Sequence, residues 1–279
     1  MPIVFEDLLF AYGSLIYGLG VNAILAVSMY IVLALDQLSL GQAAFMGVGA
    51  YTSVLLTLHL GLPFPLVLTA AALAPSLVAL VIAFPTLRLS GVYLAIATIG
   101  LGEVLRILYL NTAALGGALG ITGIPEKSNF WIIYGLLAVF VVLLVLAQRS
   151  RIGRAFEAIR EDEDAARVMG IDVARYKLVA LVVSAAIAGV AGALNAHFSY
   201  IIGPNEFGFE RAVSILSYAI LGGISTPLGP VLGAFLLTAL PEALRSLQDF
   251  RLVFNGLIIV LVVIFLPKGI LGFRVRRTG

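Results

Sequence analysis

The sequence predicts an all-α fold: a polytopic transmembrane helical bundle of about eight to ten spans, some of them broken or re-entrant. Three observations predict it. The chain is 61% hydrophobic and 11% charged, with a mean hydropathy of +1.11, whereas a soluble domain carries about 25% charged residues. Apolar runs of near 20 residues recur, and about 20 helical residues at ~1.5 Å rise cross a hydrocarbon core of ~30 Å. One long polar interruption, Arg149 to Lys177, concentrates seven of the 17 Lys and Arg and six of the 15 Asp and Glu. Residues 1–279 read as one transmembrane domain whose large polar insert, 149–177, lies outside the bilayer.

Taken in order, the apolar runs place spans at about 14–35, 40–60, 64–84, 91–110 and 130–147 before the insert. After it come 178–200, two short pieces at 212–224 and 228–240, and a last span at 252–266, nine in all. The N-terminus carries Glu6 and Asp7 with no Lys or Arg, so it lacks the basic region of a cleavable signal and the first span is expected to be retained. Two basic regions set the orientation: the insert, and the tail with Lys268, Arg274, Arg276 and Arg277. An even number of crossings separates them whether the two short pieces span or form a re-entrant hairpin. Both then face the cytoplasm, Arg88 with them, and the acidic N-terminus faces out.

The insert itself is rich in Ala, Glu and Arg from Arg154 to Met169, without Pro or Gly, which predicts one helix there. Phe156, Ile159, Ala166 and Met169 fall loosely on one side. Gly153 precedes the run and Gly170 is placed to stop it. Such a helix is either a solvated link between two spans or a docking element for a cytosolic partner. Its length favours function, and its near-balanced charge argues against a plain lipid-binding basic patch.

Within the spans, Gly41, Ala43, Ala44, Gly47, Gly49 and Ala50 are small residues at helical spacing, which let membrane helices approach closely. Glu103 and Arg106 are three apart, share a helix face and can pair. Each unpaired at mid-membrane costs roughly 2.5–3.5 kcal/mol on insertion scales, so they form either a structural ion pair or a polar element of a substrate path. Gly116, Gly117, Gly120, Gly123 and Pro125 predict a loop or broken helix start on the outer side. Asn195 and His197 sit near the outer end of 178–200. The run from Ile220 to Pro230 breaks a hydrophobic stretch at Gly222 and Gly223, which is tolerated only against protein or a cavity, or at a turn on the inner surface. A faint similarity links GVGAYTSVLLTL (47–58) to VLGAFLLTAL (231–240).

Several chemistries are excluded. Without Cys there are no disulfides, thiolate metal sites or Cys nucleophiles. His59 and His197 are too few and too far apart in sequence for a metal motif. No phosphate-binding loop, nucleophile elbow or dinucleotide fingerprint is present. No nucleic-acid partner is expected.

Asp164-Ala165-Ala166 followed by Gly170 resembles the core of the docking loop in ABC importer permeases, and the longer string IGRAFEAIREDEDAARVMGIDVARYKL is similar to the branched-chain amino-acid permeases, in their LivM branch. Leu38, Ser39, Leu40, Gly41, Ala44, Phe45, Gly49, Ala50 and Tyr51 match a second signature of that family. Gln42 stands where the family usually has His, and Tyr30 where it commonly has Asn. The stretches from Thr98 to Pro125 and from Gly208 to Arg245 also resemble it.

The resemblance implies a multi-pass inner-membrane importer subunit without catalytic residues or cofactors of its own. ATP and Mg belong to two partner ATPases. A second homologous permease and a periplasmic binding protein complete the expected assembly. Docking is then expected at Glu157, Arg160, Asp162, Asp164 and Arg167 through polar contacts, with Ala165, Ala166 and Gly170 allowing close approach. Path candidates are Gln42, Glu103, Arg106, Asn195, Gly222 and Gly223. A urea or short-amide permease of the same family, and an ion-driven secondary transporter, are the alternatives. Glu103 and Asp36 are the few membrane acids suited to an ion relay.

Overall fold

A computed structural model describes residues 2–86, 89–243 and 269–270, with the side chains of 12–86, 89–242 and 269–270. The expected span at 252–266, the basic tail from Lys268, Arg88, and the side chains of Glu6 and Asp7 lie outside these described residues.

Among the described residues ten α-helices follow one another: α1 Pro2–Leu33, α2 Gln42–Leu60, α3 Phe64–Thr86, α4 Gly91–Asn111, α5 Phe130–Arg149, α6 Arg151–Glu161, α7 Glu163–Val168, α8 Val173–Ser199, α9 Phe209–Gly222 and α10 Leu228–Ala243. Six are long and apolar enough to cross a membrane: α1 over Tyr12–Leu33, α2, α3, α4, α5 and α8. The all-α polytopic reading holds, with α9 and α10 as the two shorter apolar pieces. Strand is limited among the described residues to one antiparallel pairing, β1 Ile121–Thr122 with β2 Ile201–Ile202. The glycine-rich segment after α4 is therefore not a helix start. It folds as two short 3-10 turns, Ala113–Leu115 and Gly117–Leu119, and then pairs with the chain leaving α8. Tyr200 Oη donates to Glu126 at 2.5 Å across the same cap, and that carboxylate raises the tyrosine pKa.

α8 is the axis. α1, α2 and α3 all pack on it. α2 runs parallel to it, since Gln42 reaches Ser184 near its middle and Thr57 reaches His197 near its end. α1 runs antiparallel, with Tyr17 stacked on Phe198. The seam between α2, α3 and α8 is made of backbone. A Cβ on Gly49 would lie 2.3 Å from the Gly189 Cα, and one on Gly192 would lie 2.0 Å from the Met46 carbonyl oxygen. Pro75, inside α3, has no N–H to donate to the Ala71 carbonyl four residues back. That carbonyl faces Gly189, where a Cβ would sit 2.2 Å from it. The close approach expected of the small residues in α2 is thus realised, and its counterpart surface is the small face of α8.

The bundle contains an inverted repeat. α2 and α3 pack on α8, as α9 and α10 pack on α1, and α1 packs on α8. α2 is parallel to α8, and α9 to α1; α3 is antiparallel to α8, and α10 to α1. α1–α2–α3 and α8–α9–α10 therefore traverse the membrane in opposite senses. Gly41 precedes α2 and Gly208 precedes α9, each without a side-chain cap. Both helices start part-way through the bundle, after connections that dip inward from opposite ends. The faint similarity between 47–58 and 231–240 pairs α2 with α10, whereas the packing pairs α2 with α9.

The core is contiguous from Tyr17 through Leu237. α5 and α4 stay peripheral and present large apolar faces outward, including Trp131, Val142 and Leu146 on α5 and Tyr93, Ile96 and Val104 on α4. A lipid or partner-helix environment explains such faces; water does not.

Candidate functional site

Two regions bear on function. The first is the polar elbow. A single helix over 154–169 is expected, and the structure has two. α6 begins at Arg151, so Gly153 lies inside it, and a Cβ there would meet the Gln148 carbonyl oxygen at 2.0 Å. Gly153 therefore allows the sharp corner between α5 and α6. At Asp162 the chain turns out of helix (φ −158°, ψ 110°), and its carboxylate accepts from Asp164 N and Ala165 N to start α7. Asp162→Ala removes this cap and is expected to cost about 1 kcal/mol of local stability. Hydrogen exchange should show faster opening of α7 with α6 unchanged.

Gly170 ends α7 as its sequence position suggests. It adopts φ +84°, while Gly170 N and Ile171 N donate to the carbonyls of Arg167 and Ala166. Nothing lies within 4 Å of where its Cβ would be, so its role here is conformational.

The two faces of the elbow differ. Ala155, Ile159 and Ala166 are buried, and Phe156 packs edge-on against Tyr176 of α8. Glu163 binds Arg167 at 2.5 Å and Lys177 at 2.6 Å, and the second contact ties α7 to the first turn of α8. Arg167 also reaches Asp164. Facing outward are Glu157, Asp162, Asp164, Ala165, Val168 and Met169, the last two 88% and 82% exposed. Ala166 faces in, and Met169 lies on the opposite side from the apolar stripe expected of it. Val168 lies outside the apolar stripe expected from sequence, and no motif marks it as part of an outward face. Arg160 and Glu157 border a cavity of about 200 Å³ between α1, α5, α6 and α8.

The second region is polar and lies where the peripheral α4 meets the starts of α2 and α9. Glu103 and Arg106 pair at 2.8 Å on α4, with their side chains 36% and 30% exposed. Arg106 Nη1 also donates to Asn205 Oδ1 at 3.1 Å. Asn205 belongs to the Pro204–Phe207 turn that leads from β2 down to α9. Phe207 of that turn is buried against Gly47 and Tyr51 of α2. Nearby, Arg211 of α9 donates to Asn22 Oδ1 at 2.8 Å, and Asn22 Nδ2 donates to Thr238 of α10 at 2.9 Å. This link joins the start of α9 to α1 and α10. Its members are far apart in sequence, and none carries a motif that would have flagged it.

The remaining path candidates do not converge there. Gln42 is buried and donates to Ser184 Oγ at 3.2 Å, while its Oε1 has no partner among the described residues. Asn195 is half-buried on α8, farther out. Gly222 and Gly223 form the α9–α10 turn at the elbow end, where a Cβ on Gly222 would lie 1.8 Å from the Gly229 carbonyl oxygen. The connection turns tightly there, and Ser225 within it borders the cavity of about 200 Å³. No group of three or more potential metal ligands occurs among the described residues.

The sequence model of a family described as the branched-chain amino acid transport system permease component matches residues 12–266. The chain belongs to this family. The permease is 35% identical, over 92% of its length and 67% of theirs, to two proteins named high-affinity branched-chain amino acid transport system permease protein LivM, from Salmonella typhimurium and Escherichia coli. It is 34% identical over 52% of its length to 47% of LivH of Escherichia coli, a permease protein of the same transport system. No solved structure matches it. The permease is thus a transport component built as a multi-helix membrane protein.

Proposed function

We propose that this permease is the inner-membrane subunit of an ATP-driven importer for branched-chain, hydrophobic amino acids. It works beside a second homologous permease, two ATPase subunits that bind ATP and Mg, and a periplasmic receptor. The observation that carries the proposal is the elbow. α6 and α7 stand outside the apolar body at one end of the bundle, on the side that gathers Arg149, Arg151, Arg154, Arg160, Arg167 and Arg175, and the positive-inside tendency puts that end in the cytoplasm. Their outward face combines acids with exposed Ala165, Val168 and Met169, which suits insertion into a groove on a hydrolysing partner. The opposite face is bound to α8 through Lys177 and Tyr176, and Ile159 on it is buried.

A nucleotide-driven change in the partner shifts the permease only through different affinity for its two states. A docked elbow transmits that difference to α5 and α8 together, because both are continuous with it. The outward residues Glu157, Asp162, Asp164 and Ala165 contribute to docking on this reading, with Gly170 holding the exit turn. Arg167, exposed and braced by Glu163 and Asp164, stands with the outward residues; Arg160 acts from within the elbow, and Ala166 acts as its packing base.

The test is reconstitution with the companion subunits, measuring labelled leucine uptake with and without ATP. Leucine uptake that requires ATP, and loss of ATPase co-purification in Ala165→Arg, are expected. Uptake of urea instead of leucine would move the chain to the amide-transporting branch. Transport by the isolated chain under an ion gradient, without nucleotide, would overturn the proposal.

A further inference from the structure

We propose that Glu103 and Arg106 form a recognition site for the zwitterionic end of an amino acid, Arg106 taking the α-carboxylate and Glu103 the α-ammonium. This rests on the functional reading above and names the chemistry by which it selects its substrate.

An ion pair inside a membrane bundle that serves only packing is expected to be sealed, since water or lipid access weakens it or leaves it costly. This pair is about one-third open. At ~1.5 Å per residue, Glu103 lies about 18 Å along α4 from Gly91 and Arg106 about 7.5 Å from its other end at Asn111, so the pair sits in the second half of the apolar span. Neither partner is saturated. Arg106 uses Nε for Glu103 and Nη1 for Asn205, which leaves further guanidinium N–H donors free among the described residues. Glu103 accepts through Oε2, while Oε1 turns toward Gly208, where the absent side chain leaves the backbone bare. A carboxylate and an ammonium, held together in one small molecule, match the two unused valences. The match keeps local charge balanced, so loading the site adds no net charge to the apolar span.

Selection for an apolar side chain has a place next to it. A water-sized cavity of about 10 Å³ adjoins Glu103, walled by Leu40, Ala43, Ala44, Ile99, Phe207 and Phe209. It lies between α4 on one side and the starts of α2 and α9 on the other. α4 is mostly unburied, so a small outward shift of α4 widens this slot at little packing cost. Its walls are small or apolar apart from the ion pair at its edge. As it stands the slot admits no more than a water; opened by that shift, its walls suit a branched aliphatic side chain and leave a polar one without partners.

The experiment uses the permease with its companions and receptor in proteoliposomes, and compares E103Q, R106Q and the double variant E103Q/R106Q. Leucine uptake and ATP hydrolysis are both read. If the pair only packs, each single variant strands a charge and is impaired, while the double variant restores leucine uptake. If the pair binds substrate, the double variant still assembles and hydrolyses ATP within about twofold of wild type, yet leucine uptake falls about tenfold or more. A second variant, N205D, changes an exposed side chain and places a competing carboxylate on Arg106. Its KM for leucine is expected to rise about tenfold with little change in expression. Full uptake by the double variant, or a wild-type KM in N205D, overturns the site while leaving the importer reading intact. Absence of leucine uptake by the wild-type assembly overturns the importer reading and the site with it.

Discussion

Gly192→Leu yields no folded bundle. Even the first carbon of the new side chain would sit 2.0 Å from the Met46 carbonyl oxygen and 3.1 Å from the Ala50 amide nitrogen. Both are backbone atoms of a buried helix, so no rotamer change relieves the overlap. Overpacking a core ordinarily costs about 1–3 kcal/mol. Here α2 must leave α8, and the loss spreads to Gly49 and Gly189 on the same seam, so the cost lies above that range. Membrane helix pairs have no hydrophobic drive to re-form elsewhere, because lipid solvates an apolar face as well as a neighbour does. Expression and detergent-solubilised thermal stability are the measurements. Gly100→Ala is the control: nothing lies within 4 Å of its Cβ position, and the substitution favours helix. It should express at least as well as wild type.

Lys177→Met uncouples transport from hydrolysis. Lys177 is 11% exposed and holds Glu163 at 2.6 Å, the one ion pair among the described residues that ties α7 to α8. A charge-assisted hydrogen bond of this kind contributes about 1.5–3 kcal/mol. Glu163 keeps Arg167, so α7 itself survives. What is lost is the strut between the elbow and the longest membrane helix after α1. Uptake per ATP hydrolysed is expected to fall about tenfold, which corresponds to about 1.4 kcal/mol of lost linkage. Hydrolysis and ATPase co-purification should stay near wild type, since the outward face is untouched. Lys177→Arg should recover most of the coupling. Equal loss of hydrolysis and uptake would show instead that the elbow had detached from its partner.

Much of the membrane body is legible in the sequence because length and apolarity report directly on a ~30 Å slab. The span expected at 64–84 appears as Phe64–Thr86 despite Pro75, since neighbouring helices absorb the freed carbonyl. α8 starts five residues earlier than expected, at Val173, because Asp172 caps it by accepting from Arg175 N. The break at Asp162 had a readable signal: an Asp followed by Glu163 and Asp164 is a helix start. It was hidden by the good helix propensity on either side.

The candidate site was half legible. Glu103 and Arg106 are three apart, so their pairing follows from helix geometry. Asn205, Gly208, Asn22 and Arg211 reach the same region only through the descent of the chain into α9, which no local pattern encodes. Gly222 and Gly223 carried a real signal for a break. Sequence could not say whether a break lines a cavity or turns at an end; the fold puts a turn at the elbow end, with Ser225 at the rim of the cavity there.

One consequence follows from the bare starts of α2 and α9. An uncapped helix N-terminus carries a partial positive charge of about half an elementary unit, and its first peptide dipoles point that charge forward. The start of α2 lies inside the bundle, where Gly41 and Gln42 are shielded from water. The start of α9 is half-open and carries its own acid, Glu210, with Glu103 Oε1 close to Gly208. The two halves therefore differ in charge at matching places: a cation near the centre meets a positive end from one and a carboxylate from the other.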